Sequence, residues 1–128
     1  MTYHYLASPY SSPDPAIMHE RALAAQQATA WLLIRRTWVY SPIVHCHELA
    51  LAHSLPKDFD FWKEYNFAML ERAQGLIILT IDGWKESKGM TAEIAYAREL
   101  GLPIAGLPSS AFLPCKFHQV HPSELPPP

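Results

Sequence analysis

The run Gly-Leu-Ile-Ile-Leu-Thr-Ile at 75–81 constrains the fold more than any other stretch of the chain. It shows no alternation of apolar and polar residues, so a strand built from it is buried on both faces. That is the condition of a strand inside a parallel sheet. Parallel neighbours need long crossovers, usually helical, and the flanking sequence supplies them. Before the run, Phe61, Tyr65, Met69 and Ala73 recur at four-residue intervals, and Trp62 and Leu70 widen the stripe. This predicts a helix over 61–74, capped by Asp58 or Asp60. After the run, a helix is predicted from about Lys88 to Leu100, closed by Gly101 with Pro103 just beyond.

The same alternation extends to both sides. Residues 4–8 form a short apolar run ending in Ser-Pro and read as a strand. Asp14 caps a helix with Pro15 at its first position, where a missing N–H costs nothing. That helix runs to about Arg35, with Ile17, Leu23, Ala24, Ala28, Trp31 and Leu32 on its apolar face. Residues 37–43 are β-branched and aromatic, a second strand. Residues 45–55 read as a short helix, 102–107 as the fourth strand, and 116–120 as a candidate fifth. Alternating strands and helices predict an α/β fold, a parallel sheet with helices on both faces.

The 128 residues predict one domain, spanning 1–121 and followed by a flexible proline-rich tail at 122–128. The chain is 49% hydrophobic, ample for a core. Its 10 Lys and Arg residues are scattered, which argues against a nucleic-acid polymer as partner. No apolar run is long enough to cross a membrane, and the first residues lack the basic and apolar regions of a secretory signal. A cytoplasmic protein is the expectation. Cys46 and Cys115 make no disulfide framework. His45, Cys46 and His47 invite a zinc site, but no matching pair of close ligands follows, so no metal and no cofactor are expected.

In an open parallel sheet, ligands bind beyond the carboxyl ends of the strands, where the strand order switches. Three such ends carry polar or aromatic loops: SPYSS, SPIVHCH and DGWKESKGM. With strand order 2-1-3-4, these loops gather Ser8, Tyr10, Ser41, His45, His47, Asp82, Trp84, Ser87 and Glu93 around one cleft. Ser87 and Gly89 stand at a helix start, where free N–H groups attract an anion such as phosphate. The helix dipole is expected to keep Glu93 ionised, which suits a nucleophile; the bland alternative is an ordinary glutamate favoured by the same dipole. Tyr10 and the two histidines are candidate cleft residues, His45 being preferred over His47, with Tyr5 able to point in from its strand end. Trp84 is placed to stack on a flat ligand or to cover the cleft, and Asp82 to bind ligand hydroxyls or to serve as a turn residue.

The stretches YLASPY, YSPI and GLIILTIDGWKESKGMTAEIAYARELGLPI together resemble the nucleoside 2-deoxyribosyltransferase-like superfamily. The nearest pattern is its small branch with the signature G-W-x-x-S-x-G-x-x-x-E. The resemblance implies a flavodoxin-like three-layer sandwich with a four- or five-stranded sheet, order 2-1-3-4(-5). It also implies cleavage or exchange of the N-glycosidic bond of nucleosides or nucleotides. Glu93 matches the family's nucleophile, which attacks the sugar's anomeric carbon. Ser87 matches the serine that binds a 5′-phosphate in the nucleotide-hydrolysing branch. The implied function is therefore a hydrolase of a nucleoside 5′-monophosphate or nucleoside. Base exchange and a non-catalytic nucleotide-binding or sensing module are the alternatives. A homodimer or larger assembly is implied too. One position departs from the family. The tract FWKEYNFAMLERAQG places Asn66 where an aspartate commonly serves the leaving base, and Gln74 replaces a second acid. Asn66 can orient a base by hydrogen bonds but has no titratable proton, so Asp82, Asp60 or Glu64 are the other candidate acids.

Overall fold

A computed structural model describes residues 2–112 of the chain. The candidate fifth strand, Cys115 and the proline-rich tail lie outside the described residues. In order, the elements are β1 (His4–Ala7), α1 (Pro15–Ile34), β2 (Val39–Tyr40), α2 (Pro42–His53), α3 (Phe59–Glu71), β3 (Gly75–Leu79), α4 (Lys88–Glu99) and β4 (Ile104–Leu107). A short 3-10 turn follows at Ser109–Ala111. The four strands form one all-parallel sheet of order β2-β1-β3-β4. The fold is an α/β, flavodoxin-like sandwich.

Alternation along the two central strands divides the core between two faces. Tyr5 and Ala7 of β1 and Leu76 and Ile78 of β3 pack with Leu70 of α3 and with Met90 and Ala97 of α4. Leu6, Ile77 and Leu79 face the other way, onto Ala28 and Leu32 of α1 and onto Leu107 and Phe112. Both faces of β3 are buried, as its unbroken apolar run requires. Each buried leucine or isoleucine contributes roughly 1.5–3 kcal/mol relative to exposure.

Local signals fix most element ends. Asp14 Oδ1 accepts from the Ala16 N–H, with Pro15 at the first helical position. Asp58 caps α3 through the Phe61 N–H, which selects it over Asp60. Ser87 caps α4, and Gly101 beyond that helix sits at φ 71°, a left-handed conformation that favours glycine. No helix among the described residues is long and apolar enough to cross a membrane.

Three expectations need correction. β2 is only Val39–Tyr40, and the helix after it starts at Pro42 rather than near residue 45. The reason is Ser41, whose side chain accepts from the Val44 N–H while Pro42 takes the first helical position. The face of α3 is turned by one residue: Phe61 is 51% and Tyr65 43% exposed, while Asn66 and Leu70 are buried. The four-residue recurrence was real, but its aromatic row lies outside. There Tyr65 stacks on His45 and meets Trp62 edge to face. On α1, Ile17 and Leu23 are exposed, and the buried positions are Ala22, Ala25, Ala28 and Leu32. Three alanines bring the helix close to its neighbours, and the larger side chains turn outward.

Candidate functional site

The chain runs from β1 outward to β2, then returns across the sheet to β3 on the other side of β1. That reversal opens a crevice at the carboxyl ends of β1 and β3. A cavity of about 370 Å³ occupies it, within the range of small-ligand sites. Of the residues singled out from sequence, Ser8, Tyr10, His47, Asn66, Ser87, Gly89 and Glu93 line it.

Glu93 is only 5% exposed although it borders the cavity. The Tyr5 hydroxyl donates to its Oε2, and Oε1 has no hydrogen-bond partner among the described residues. Tyr5 reaches it because β1 alternation turns that ring toward α4. Burial pushes the Glu93 carboxyl up to about 8, and the Tyr5 hydrogen bond opposes the rise. The expectation that the helix dipole holds Glu93 ionised is therefore corrected. With Ser87 as cap and Lys88 first in the helix, Glu93 lies beyond the first turn, where the dipole has faded. Tyr5 itself is raised well above its usual range, first by burial and then by the Glu93 charge.

The start of α4 forms one wall. Ser87 Oγ accepts from the Met90 N–H at 3.2 Å, so its own hydroxyl hydrogen remains available to a ligand. The N–H groups of Lys88 and Gly89, at the first two helical positions, have no partner within the helix. Gly89 has a packing reason as well. A Cβ there would stand 3.0 Å from the Phe59 ring of α3, so glycine permits the close approach of the two helices.

Three further polar groups are buried with no hydrogen-bond partner among the described residues and belong to residues lining the cavity: Ser8 Oγ, Asn66 Oδ1 and His47 Nε2. An unpaired buried polar group costs about 1–3 kcal/mol, so three around one hollow suit a ligand that completes them. The Trp31 indole N–H shares this condition away from the cavity.

His47, rather than His45, faces the cavity. α2 begins at Pro42, which puts Pro42, Cys46, His47 and Ala50 on its buried side. His45 lies exposed on the opposite face, its Nε2 3.0 Å from the Tyr65 hydroxyl. The signal that finds His47 is the Ser41-Pro42 cap, which sets the helical phase. Cys46 also lines the cavity, but burial pushes its thiol up to about 11, which leaves it unreactive.

Trp84 is half-buried against the α3/α4 core and does not line the cavity. Asp82 lines a neighbouring polar hollow with Arg21 and Gly83, which meets the first at Ser11, Glu86 and Ser87. Arg21 donates to the Ser11 carbonyl at 2.8 Å. Asp60 lines the main cavity at its exposed rim, paired with Lys88 at 3.1 Å. Glu64 is exposed and does not line it. Among the described residues, no group of three or more His, Cys, Asp or Glu side chains is placed to hold a metal ion.

The chemistry of this arrangement is a sheltered carboxyl, held by a phenol, on the same helix whose anion-attracting start lines the cavity. A family model described as Domain of unknown function (DUF1937) matches residues 2–107. No curated protein matches the chain.

Proposed function

The chain belongs to this family, Domain of unknown function (DUF1937), and from the chemistry of the site we propose that it cleaves the N-glycosidic bond of a nucleoside 5′-monophosphate or nucleoside. The observation that carries the reading is Glu93, sheltered at the cavity, with Tyr5 on one carboxylate oxygen and the other free. It is the chemistry of the nucleoside 2-deoxyribosyltransferase-like superfamily.

In this reading Glu93 Oε1 attacks C1′ of the sugar. The C1′–N bond breaks, and its electron pair leaves with the base. Positive charge builds on the sugar at that moment, and a carboxylate beside it stabilises the charge before bonding to it. Water then resolves the glycosyl ester and restores the carboxylate. The Ser87 hydroxyl and the N–H groups of Lys88 and Gly89 hold the phosphate. Asn66 meets the base by hydrogen bonds. A homo-oligomer belongs to the same reading.

The carboxylate is the reactive form, and burial favours the acid. Activity of the free enzyme therefore rises with pH and levels off above about 8. One rival has a specific observation behind it. With Glu93 holding its proton at neutral pH and Asn66 unable to supply one, a non-catalytic nucleotide-binding module is the second reading.

A chromatographic screen of nucleosides and monophosphates for released base separates the two. Wild type is expected to release base, faster at pH 9 than at pH 6, and Glu93→Gln to lose about 10⁴-fold. Mass measurement of the intact protein during turnover is expected to catch the sugar ester. A wild-type protein that binds nucleotide at pH 9 yet frees no base would leave only the binding module. Exchange outrunning hydrolysis when free base is added would mark a transferase.

A further inference from the structure

The departing base needs a hydrogen-bond donor, and the acidic side chains offer it poorly. Asp58 is taken up as the α3 cap, Asp60 is exposed and paired with Lys88, Glu86 is exposed, and Asp82 opens on the neighbouring hollow. The buried, unpartnered atom of Asn66 is its Oδ1, which accepts rather than donates. His47 is placed differently. It is 6% exposed, lines the cavity, and has its Nδ1 2.6 Å from the Tyr10 hydroxyl. The two rings meet edge to face with centroids 5.4 Å apart. Its other nitrogen, Nε2, is buried with no partner.

A phenol O–H is a stronger acid than a neutral imidazole N–H, so the favoured arrangement has Tyr10 donating to Nδ1. The ring hydrogen then resides on Nε2. We propose that His47, held in this tautomer by Tyr10, donates a hydrogen bond from Nε2–H to a ring nitrogen of the departing base. The inference rests on the glycosidase reading and names the residue that serves its leaving group. Tyr10 is a positioning residue in the same device.

As Glu93 bonds to C1′ and the C1′–N electron pair passes to the base, the hydrogen bond spreads the new negative charge. His47 keeps its proton throughout. The freed base takes a proton from water, which balances the one released when water resolves the ester. A neutral ring suits this role. Burial lowers the imidazole's affinity for a second proton, with His19 and Lys57 adding to the effect and Glu48 opposing it.

The test is leaving-group dependence. Base release is measured from the common nucleoside 5′-monophosphates and from 7-methylguanosine 5′-monophosphate, whose base departs uncharged and needs no donor. His47→Phe is expected to slow release from the common nucleotides about 100-fold and from the methylated one far less. His47→Gln, which returns an N–H near the Nε2 position, is expected to restore part of the loss. Tyr10→Phe is expected to repeat the pattern more weakly. An equal loss on both kinds of substrate, or no loss on either, overturns the donor role and leaves the glycosidase standing. A wild-type protein inert toward every substrate, the methylated one included, overturns both.

Discussion

Ser8 and Ser41 stand at the mouths of neighbouring strands, each buried and each followed by proline. The fold treats them in opposite ways. Pro42 starts α2 at once, so Ser41 is the cap and its Oγ accepts from the Val44 N–H. Pro9 leads instead into a loop, and α1 starts later under its own cap, Asp14. Ser8 Oγ is left with no partner, at the cavity. One serine satisfies the fold; the other lines the cavity with its hydroxyl unpartnered among the described residues. Asn66 Oδ1 and His47 Nε2 belong with Ser8, and Glu93, whose Oε1 has no partner among the described residues, lines the same cavity. Polar groups that hold the structure and polar groups left over for the proposed ligand are separated by whether the backbone nearby needs them.

The difference makes quantitative demands, and Glu93 makes the largest. Its folded-state pKa, about 8, lies above the ordinary carboxylate value of 4.5. The folded state therefore binds more protons than the unfolded one between those values. Stability falls as pH rises through that window and levels off above it. Glu93→Gln cannot ionise and escapes the loss. At pH 9 it is expected to be more stable than wild type by on the order of 3 kcal/mol, with the gap closing toward pH 4. Chemical denaturation across pH checks this. A gap that does not change with pH would mean that Glu93 is not buried as a proton-holding acid.

Ser41→Ala comes next. It removes a helix cap and is expected to cost about 1 kcal/mol at every pH, read as a lowered denaturation midpoint with no change in nucleotide affinity. The smallest effect on stability is expected for Ser8→Ala. Its hydroxyl has no partner to lose, so the change lies between about 0 and 1 kcal/mol in the stabilising direction. The same substitution is expected to shrink the thermal shift produced by a nucleoside monophosphate. If Ser8→Ala destabilises as much as Ser41→Ala and leaves that shift intact, the two serines are alike and the contrast is broken.

Much of this was legible in the chain. The unbroken apolar run at 75–81, the Asp14-Pro15 start and the Gly101 stop were read from local chemistry and stand in the fold. Strand order 2-1-3-4 brought the loop after β1 and the start of α4 to one crevice. The site was harder to read than the fold. Sequence spacing offered two histidines, and His45 was preferred where α2 presents His47. It offered an aromatic row on α3 as core, while the helix buries the row beginning one residue later. Trp84 and Asp82 were grouped with Glu93 because they share its loop region, yet neither lines the main cavity.

Local chemistry in the sequence decided most element ends, the β2–α2 boundary at Ser41-Pro42 being the one misread, because caps, prolines and glycines act over a few residues and carry their own physics. The tertiary structure decided which side of each helix turns inward, because a periodic pattern marks a stripe while only the neighbouring layers select among stripes. It also decided the charge on Glu93. The helix start was visible in the residues, but the loss of water around that carboxyl comes from the tertiary packing that buries it, at a depth in α4 where the dipole has faded.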